Sequence, residues 1–475
     1  MRALFLSPSV PYPPLNGGHH RTLACARCLA RMGPVVMLAV GDPGATRSRE
    51  GCAALSELGV ELHVFAPAPT AGVPAGATEP EAIPHFRCPA MRAFLEEQQR
   101  QDAPDLAHVE ELVMAQYAGL LPYPRVLDRQ KIEWRFHEAM SVVEPGRREW
   151  HLSQAERYRL QEQSLVGRFD RILVAGAGDR QTLEQLHEPG TVVEVPIAIA
   201  DDLVALEPRP KGVSFVLLYG ARDYGPNVDA ETWFLSAMWP SLSDRAPSLR
   251  LAVVGSGSPP PTAIQPGADP RVDVRGFVPD VAPILSDRGV LVVPLRVGGG
   301  ARTKVLEAMA CGMPVVSTAL GVENLGLAPG RDYLLAETAA DMVEAVLALV
   351  RDPDRAASVG SAGHLRAQAH RWSEIDRMLE PMYREVAQLG SRARFCSLAQ
   401  ATASPAMDRG RRHGWRASLR RRHLLDGARD AVLRTRWGPS LKRRLDAVVA
   451  RSSRNDAGSL GRLAARVIWR LVRHH

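Results

Sequence analysis

"GVLVVPLRVGGGARTKVLEAMACGMPVVST", residues 289–318, is the stretch whose reading decides the fold class. "GVLVVPL" is an apolar, β-branched run of the kind that makes a buried strand. "ARTKVLEAMA" has helical spacing, and "MPVVST" is a second buried strand. Strand, loop, helix, strand is one α/β unit with parallel strands. Gly298, Gly299 and Gly300 bring backbone amides and a helix start to one point. Unpaired donors and the positive end of the helix dipole make that a general anion site. Lys304 and Glu307 are three residues apart and share a face of the helix. The lysine suits phosphate oxygens, and the glutamate suits sugar hydroxyls. A surface ion pair between the two, worth a few tenths of a kcal/mol, is the competing reading. The stretch is not a G-x-x-x-x-G-K-[ST] phosphate loop, because Thr303 precedes Lys304 where that motif needs glycine.

The same alternation runs through most of the chain. "RALFLS", "PVVMLAV", "VELHVFA", "DLAHVE", "RVLDR" and "RILVAG" read as strands of a first unit. "HRTLACARCLARMG" and the segment from Arg148 to Phe169 read as helices between them. After a Pro- and charge-containing linker at 206–212 the series restarts. "SFVLLYG", "LRLAVVG", "VDVRGFV", "GVLVVPL" and "MPVVST" are strands of a second unit. "DMVEAVLALVRDPDRAASVG" and "RWSEIDRMLEPMYREVAQLG" are helices expected to close that second unit. Strands alternating with helices imply parallel sheets covered on both faces. Residues 1–205 and 206–390 are therefore expected to be two α/β domains, with ligand bound in the cleft between them.

Composition narrows the function. The chain has 475 residues, 45% hydrophobic and 23% charged, enough for two or three domains with sizeable cores. No apolar run approaches the roughly 18 residues of a membrane-spanning helix. "MRALFLSPSVPYPP" reads as a first strand and loop rather than a signal peptide. The six cysteines are scattered, and Cys25 and Cys28 form a C-x-x-C with no second pair for zinc. They are expected to be buried thiols in a reducing cytoplasm. Charge is uneven. Residues 391–475 hold 21 lysines and arginines against 5 acidic residues, a net of +16, whereas residues 1–390 carry a net of −9.

Beyond these patterns, the sequence resembles the retaining, family-4-type glycosyltransferases of the GT-B fold. "LEAMACGMPVVSTALGVENL" matches the pattern in which a glycine turn precedes EAMA.G.PVV.T and then G..E.L. "PYPPLNGGHHR" resembles the N-terminal glycine loop of these enzymes. "YGARDYGPNVDAETWF" resembles the start of the donor domain in a bacterial exopolysaccharide subgroup. "LAVVGSG" and "VDVRGFVPDVAPIL" match its next two strands. The resemblance covers residues 1–390 and is strongest over 213–330.

The resemblance implies two Rossmann-like domains, with a nucleoside-diphosphate sugar held mainly by the second. Glu307 is then expected at the ribose hydroxyls, and Gly276, Phe277 and Val278 at the base. Gly17 and Gly18 are expected at the diphosphate, with Arg21 facing it from the same loop, and Gly299 and Gly300 in the donor site. Arg302 and Lys304 are expected to neutralise the leaving diphosphate, so neither a metal nor another cofactor is expected. Three departures from the family pattern stand out. Gly299 occupies the place of the first glutamate of the E-x7-E pair. Ala221 stands where an arginine is usual, with Arg222 one position on, and the usual lysine a few residues later is missing. Arg302 and Lys304 are read as replacing these charges. In the first domain "AHVEEL" places Glu110 where a histidine often stands, and "VLDRQKIEW" has Gln130 at another such place. Glu110 is the candidate for orienting the acceptor hydroxyl, against the plainer reading that it pairs structurally. His19 and His20 are read as loop residues.

Residues 391–475 lie outside the resemblance and are expected to be a basic, partly amphipathic helical tail. In "SLGRLAARVIWRLVRHH", Leu460, Leu463, Ala464, Val467, Ile468, Leu471 and Val472 form one face, and Arg462, Arg466, Arg470 and Arg473 the other. An anionic membrane surface is the expected partner. Packing on the acidic body is the alternative, and nucleic acid is not expected although arginine runs bind phosphate backbones. The expected function is transfer of a sugar from a nucleoside-diphosphate sugar to a glycan or polyprenyl-linked acceptor, in bacterial exopolysaccharide assembly. A nucleotide-sugar 2-epimerase and a non-catalytic nucleotide-sugar-binding scaffold are the rival readings.

Overall fold

The structure, a computed structural model, describes residues 1–69, 78–98, 103–204, 212–257, 269–300 and 302–403. The basic segments of the expected tail fall at 404–475, and most of the expected linker at 206–211, outside the described residues.

Two parallel sheets organise the chain. The first comprises β1 (Ala3–Ser7), β2 (Val35–Val40), β3 (Val60–Phe65), β4 (Leu106–Glu110), β5 (Arg125–Arg129), β6 (Arg171–Val174) and β7 (Val192–Glu194), in the order β3-β2-β1-β4-β5-β6-β7. The second comprises β8 (Phe215–Tyr219), β9 (Arg250–Val254), β10 (Val272–Arg275), β11 (Gly289–Val293), β12 (Val315–Ser317) and β13 (Leu334–Leu335), in the order β10-β9-β8-β11-β12-β13. Every pairing between these strands is parallel. Every residue of β1, β2 and β11 is buried, as expected of strands covered on both faces. This is the arrangement of the GT-B fold.

The helices of the first half are α1 (Gly17–Met32), α2 (Thr46–Glu57), α3 (Pro89–Gln98), α4 (Glu111–Met114), α5 (Glu133–Val143), α6 (Arg148–Ser164) and α7 (Ala177–Leu183). Those of the second are α8 (Asp201–Val204), α9 (Gly225–Ala237), α10 (Trp239–Arg245), α11 (Ala282–Leu285), α12 (Thr303–Ala310), α13 (Ala339–Arg351) and α14 (Pro353–Ala367). Among the described residues no helix is long and apolar enough to cross a membrane.

In each sheet the strand order reverses once, between β1 and β4 in the first and between β8 and β11 in the second. At such a reversal the loops at the carboxyl ends part and leave a crevice, where open α/β sheets bind ligands. The glycine start of α1 and Glu110 lie at the first reversal. Gly220 and the loop before α12 lie at the second.

The last helix, α15 (Trp372–Ala403), differs from expectation. Its segment "RWSEIDRMLEPMYREVAQLG" does not close the second sheet but packs on the first. The Arg27 guanidinium lies 3.9 Å from the Trp372 ring centre, and Asp376 pairs with Arg31 at 2.7 Å. The Tyr383 hydroxyl meets His108 Nδ1 at 2.9 Å, and Glu385 pairs with Arg171 at 2.6 Å. Ile375, Leu379, Met382, Tyr383 and Val386 form the buried face. The periodicity predicts a helix with that face, but carries no information about which sheet it covers. The chain enters α15 at a crossing between the sheets, where the Ile199 amide donates to the His370 carbonyl at 2.8 Å and His370 Nδ1 donates to the Ile197 carbonyl at 3.2 Å.

Candidate functional site

The start of α12 is fixed from behind and bare in front. Val305 and Leu306 are fully buried, each worth about 1.5–3 kcal/mol. α14 backs the helix closely: a Cβ at Gly360 would collide with the Gly312 carbonyl, and His364 Nδ1 donates to the Ala310 carbonyl at 2.7 Å. The helix has no capping side chain at its N-terminus and no acidic residue in its first turn, so its amides and dipole face the cleft unmatched. The loop before it turns through Gly300 at φ 75°, where a side chain would also strike the Gln130 carbonyl of the first domain. Glycine is thus required there both for its backbone angle and for the closeness of the two domains. Gly299 approaches Lys131 and Phe136 in the same seam.

Lys304 and Glu307 do not pair with each other. Lys304 Nζ donates to Asn227 Oδ1 at 3.0 Å, and Asn227 Nδ2 donates to the Ala221 carbonyl at 2.9 Å. The asparagine is therefore held at both ends of its amide. Burial, with Arg302 adding to it, pushes the Lys304 pKa down to about 7. Arg302 Nη1 donates to the carbonyls of Gly299 and Gly300, while its Nη2 is buried with no partner among the described residues. Glu307 hydrogen-bonds Tyr219, and burial pushes its pKa up to about 7. Among the described residues neither Arg302 nor Lys304 has a carboxylate within ion-pair distance.

Across the cleft, α1 begins with Gly17 and Gly18, and Asn16 caps it by accepting from the His19 amide at 3.0 Å. A Cβ at Gly17 would collide with Thr303 Oγ1, and one at Gly18 with Gln130 Oε1. The expected glycine loop and the start of α12 are thus brought together. His20 Nε2 stands 4.0 Å from Glu307 Oε1.

Three expected site residues are placed differently. Arg21 does not face the cleft: it is 3% exposed, its Nε donates to Asp128 at 2.8 and 2.9 Å, and its Nη1 donates to the Val195 carbonyl at 2.6 Å. Its position on α1 turns it toward the sheet. Arg222 is clasped by Glu231, Nε at 3.0 Å and Nη2 at 2.5 Å, so its charge is already matched. Glu110 is 2% exposed, and its oxygens accept from Thr22, from Ser7 Oγ at 2.8 Å and from Gln130 Nε2 at 2.7 Å. Burial pushes its pKa up to about 7. It braces the floor of the cleft rather than presenting an unengaged oxygen.

Gly276, Phe277 and Val278 follow β10. Phe277 is 59% exposed, and a Cβ on Gly276 would meet nothing within 4 Å, so this loop leaves open space. His19 and His20, expected in a loop, instead lie in the first turn of α1; His19 Nε2 meets Ser9 Oγ at 3.0 Å and its Nδ1 accepts from the Leu15 amide at 3.1 Å. Cys25 and Cys28 are buried, and neither is in a disulfide. Cys25 lies with His108 and Asp128 in one compact group, but Arg21 already neutralises Asp128 there.

Sequence reasoning missed Asn227, Tyr219, His20, Thr303 and Lys131 as parts of this site. Asn227 and Tyr219 were within reach, since both lie in the quoted "YGARDYGPNVDAETWF". Nothing in the sequence signals that Lys131 meets Gly299.

Residues 214–352 match the model of one sequence family, Glycosyl transferases group 1. Among characterised proteins, D-inositol 3-phosphate glycosyltransferase of Pseudarthrobacter chlorophenolicus is 43% identical over 70 residues, which is 14% of this chain and 17% of that relative. Among solved structures, sucrose-phosphate synthase from Thermosynechococcus elongatus superposes with a TM-score of 0.62 at 18% identity, covering 81% of this chain and 99% of that one. Anabaena Alr3699/HepE in complex with UDP-glucose superposes with a TM-score of 0.57 at 14% identity, covering 81% and 100%. The protein thus has the GT-B fold, and residues 214–352 of its second half are similar to the group 1 glycosyltransferases.

Proposed function

We propose that the protein is a retaining glycosyltransferase that moves a hexosyl group from a nucleoside-diphosphate sugar onto a glycan or lipid-linked acceptor. One observation carries the reading: a partly buried ammonium, Lys304, sits at a bare helix start and, among the described residues, has only a neutral amide as hydrogen-bond partner. A fold that buries a cation without an anion leaves a large electrostatic deficit, and a diphosphate would offset it. Glu307 and Tyr219 next to it suit a ribose diol, and the open loop at Gly276–Val278 suits a base. In the reaction the bond from the anomeric carbon to the β-phosphate oxygen breaks. A bond from that carbon to the acceptor oxygen forms on the same face. The acceptor proton passes to the departing phosphate oxygen, while Arg302 and Lys304 offset the charge that develops there. Glu110 holds Gln130 and Thr22 in place beneath the acceptor side.

The pathway is read as assembly of bacterial exopolysaccharide or another cell-surface polysaccharide. The net charge of +16 over residues 391–475 supports contact with an anionic membrane surface, where a polyprenyl-linked acceptor resides, on its cytoplasmic face. The test is calorimetric titration of the full-length protein with UDP, GDP, ADP and dTDP, with Lys304→Ala alongside. UDP goes first, because the Anabaena protein was solved with UDP-glucose. Micromolar binding of one nucleotide, lost in the variant, is the expected result. No binding of any would overturn the reading.

A further inference from the structure

α1 and α12 come from different domains and meet start to start, in register. Gly17 lies opposite Thr303, and one turn further along each helix His20 lies opposite Glu307. Three polar atoms at this seam are buried with no hydrogen-bond partner among the described residues: His20 Nδ1, Thr303 Oγ1 and Arg302 Nη2. Thr303 is only 8% exposed. Buried polar atoms are almost always paired, and each unpaired one costs about 1–3 kcal/mol. Three of them on adjoining helix starts is the pattern left where a ligand's acceptor atoms belong.

The chemistry of the set narrows the ligand. A guanidinium donates, a hydroxyl can donate, and an imidazole Nδ1 donates once the ring is protonated or carries its hydrogen there; the amides of both helix starts add more. An anion with several oxygens satisfies such a group, whereas a cation or an apolar moiety does not. Of the two adjacent histidines only His20 is available. His19 is engaged at both ring nitrogens, by Ser9 on one and by the Leu15 amide and Arg47 on the other.

We propose that His20 is the first domain's own ligand to the nucleotide phosphate, binding it through Nδ1 when the two domains close. This rests on the reading of α12 as the nucleotide site. It makes tight binding a property of both domains. The second domain supplies Lys304, Arg302 and Glu307. His20 adds the contact that only a closed cleft can make. Burial lowers the His20 pKa in the empty protein, and a phosphate oxygen at Nδ1 favours the protonated ring.

The test uses full-length wild type, His20→Ala, His20→Asn, His20→Gln and Lys304→Ala, titrated with UDP, UMP and, by competition, uridine. Melting temperatures establish that each variant is folded. His20→Ala is expected to weaken UDP and UMP about tenfold or more and to leave uridine unchanged. Asparagine places an amide where Nδ1 lies and is expected to stay within about threefold of wild type. Glutamine reaches the Nε2 position instead and is expected to behave like alanine. Unchanged UDP affinity in His20→Ala overturns the proposal. So does an equal loss with uridine, which would make His20 a support for the ribose side or the fold. If Lys304→Ala also binds UDP like wild type, the nucleotide reading of α12 has failed, and His20 falls with it.

Discussion

Lys304→Met should make the empty protein more stable and the donor site weaker at the same time. The wild-type ammonium is partly buried, its one polar contact among the described residues is the Asn227 side-chain carbonyl, and its pKa is pushed from 10.5 to about 7 by burial and Arg302. A drop of that size corresponds to roughly 2–4 kcal/mol of destabilisation while the lysine is charged, after allowing for water that reaches a partly buried group. The folded chain releases this proton near pH 7 and the unfolded chain near pH 10.5. Between those values the unfolded state binds the extra proton, so this lysine makes wild-type stability rise with pH. The methionine variant's advantage is therefore fullest below pH 7 and fades toward pH 10.5. Phosphate binding favours the charged form, so the same substitution should remove about 1.5–3 kcal/mol of UDP affinity, roughly 10- to 150-fold in Kd. Urea unfolding at pH 6.5 and 9.5, with UDP calorimetry at pH 7, measures both signs. A variant that is less stable at pH 6.5 and binds UDP like wild type would refute the reasoning.

Other outcomes follow from individual contacts. Glu307→Gln should weaken UDP about tenfold. Because burial raises the Glu307 pKa to about 7 and a ribose diol needs the carboxylate as acceptor, wild-type affinity should decline below pH 7 more steeply than that of the glutamine variant, by calorimetry across pH 5.5–8. Arg21→Met should cost about 3–5 kcal/mol in urea unfolding, since it leaves Asp128 buried without its partner. The surviving folded protein should bind UDP within about threefold of wild type, because Arg21 is not in the cleft. Gly17→Ala should lower turnover of a UDP-sugar at least about tenfold, since the added methyl collides with Thr303 Oγ1, and Thr303→Ala in the same chain should restore part of it. Arginine-to-glutamate changes at 462, 466, 470 and 473 together should abolish sedimentation with anionic vesicles, each arginine being worth about 1 kcal/mol at such a surface.

The central strands were legible because runs such as "GVLVVPL" and "PVVMLAV" are apolar throughout, and mixed ones such as "RVLDR" were legible from their place in the alternation with helices. The short edge strands β7 and β13 were not, because two or three residues carry no period. The second-domain half of the candidate site could be grouped from the sequence because its loop, helix start, Lys304 and Glu307 are contiguous. The first-domain half could not. Arg21 stands three residues after Gly18, yet helical geometry turns it inward to Asp128, more than a hundred positions away in sequence. Conversely, Gln130 and Lys131 meet Gly300 and Gly299 only because two domains face each other. A one-dimensional pattern reports faces of a helix well and partners across a cleft hardly at all.

The return of α15 to the first sheet has a mechanical consequence. The residues beyond 403 are joined to the half of the molecule that carries the glycine loop of α1, not to the half that carries α12. Whatever those residues grip, the pull is transmitted through Tyr383, Asp376 and Trp372 to the first sheet. Any load on the residues beyond 403 therefore reaches the first half of the molecule before the second.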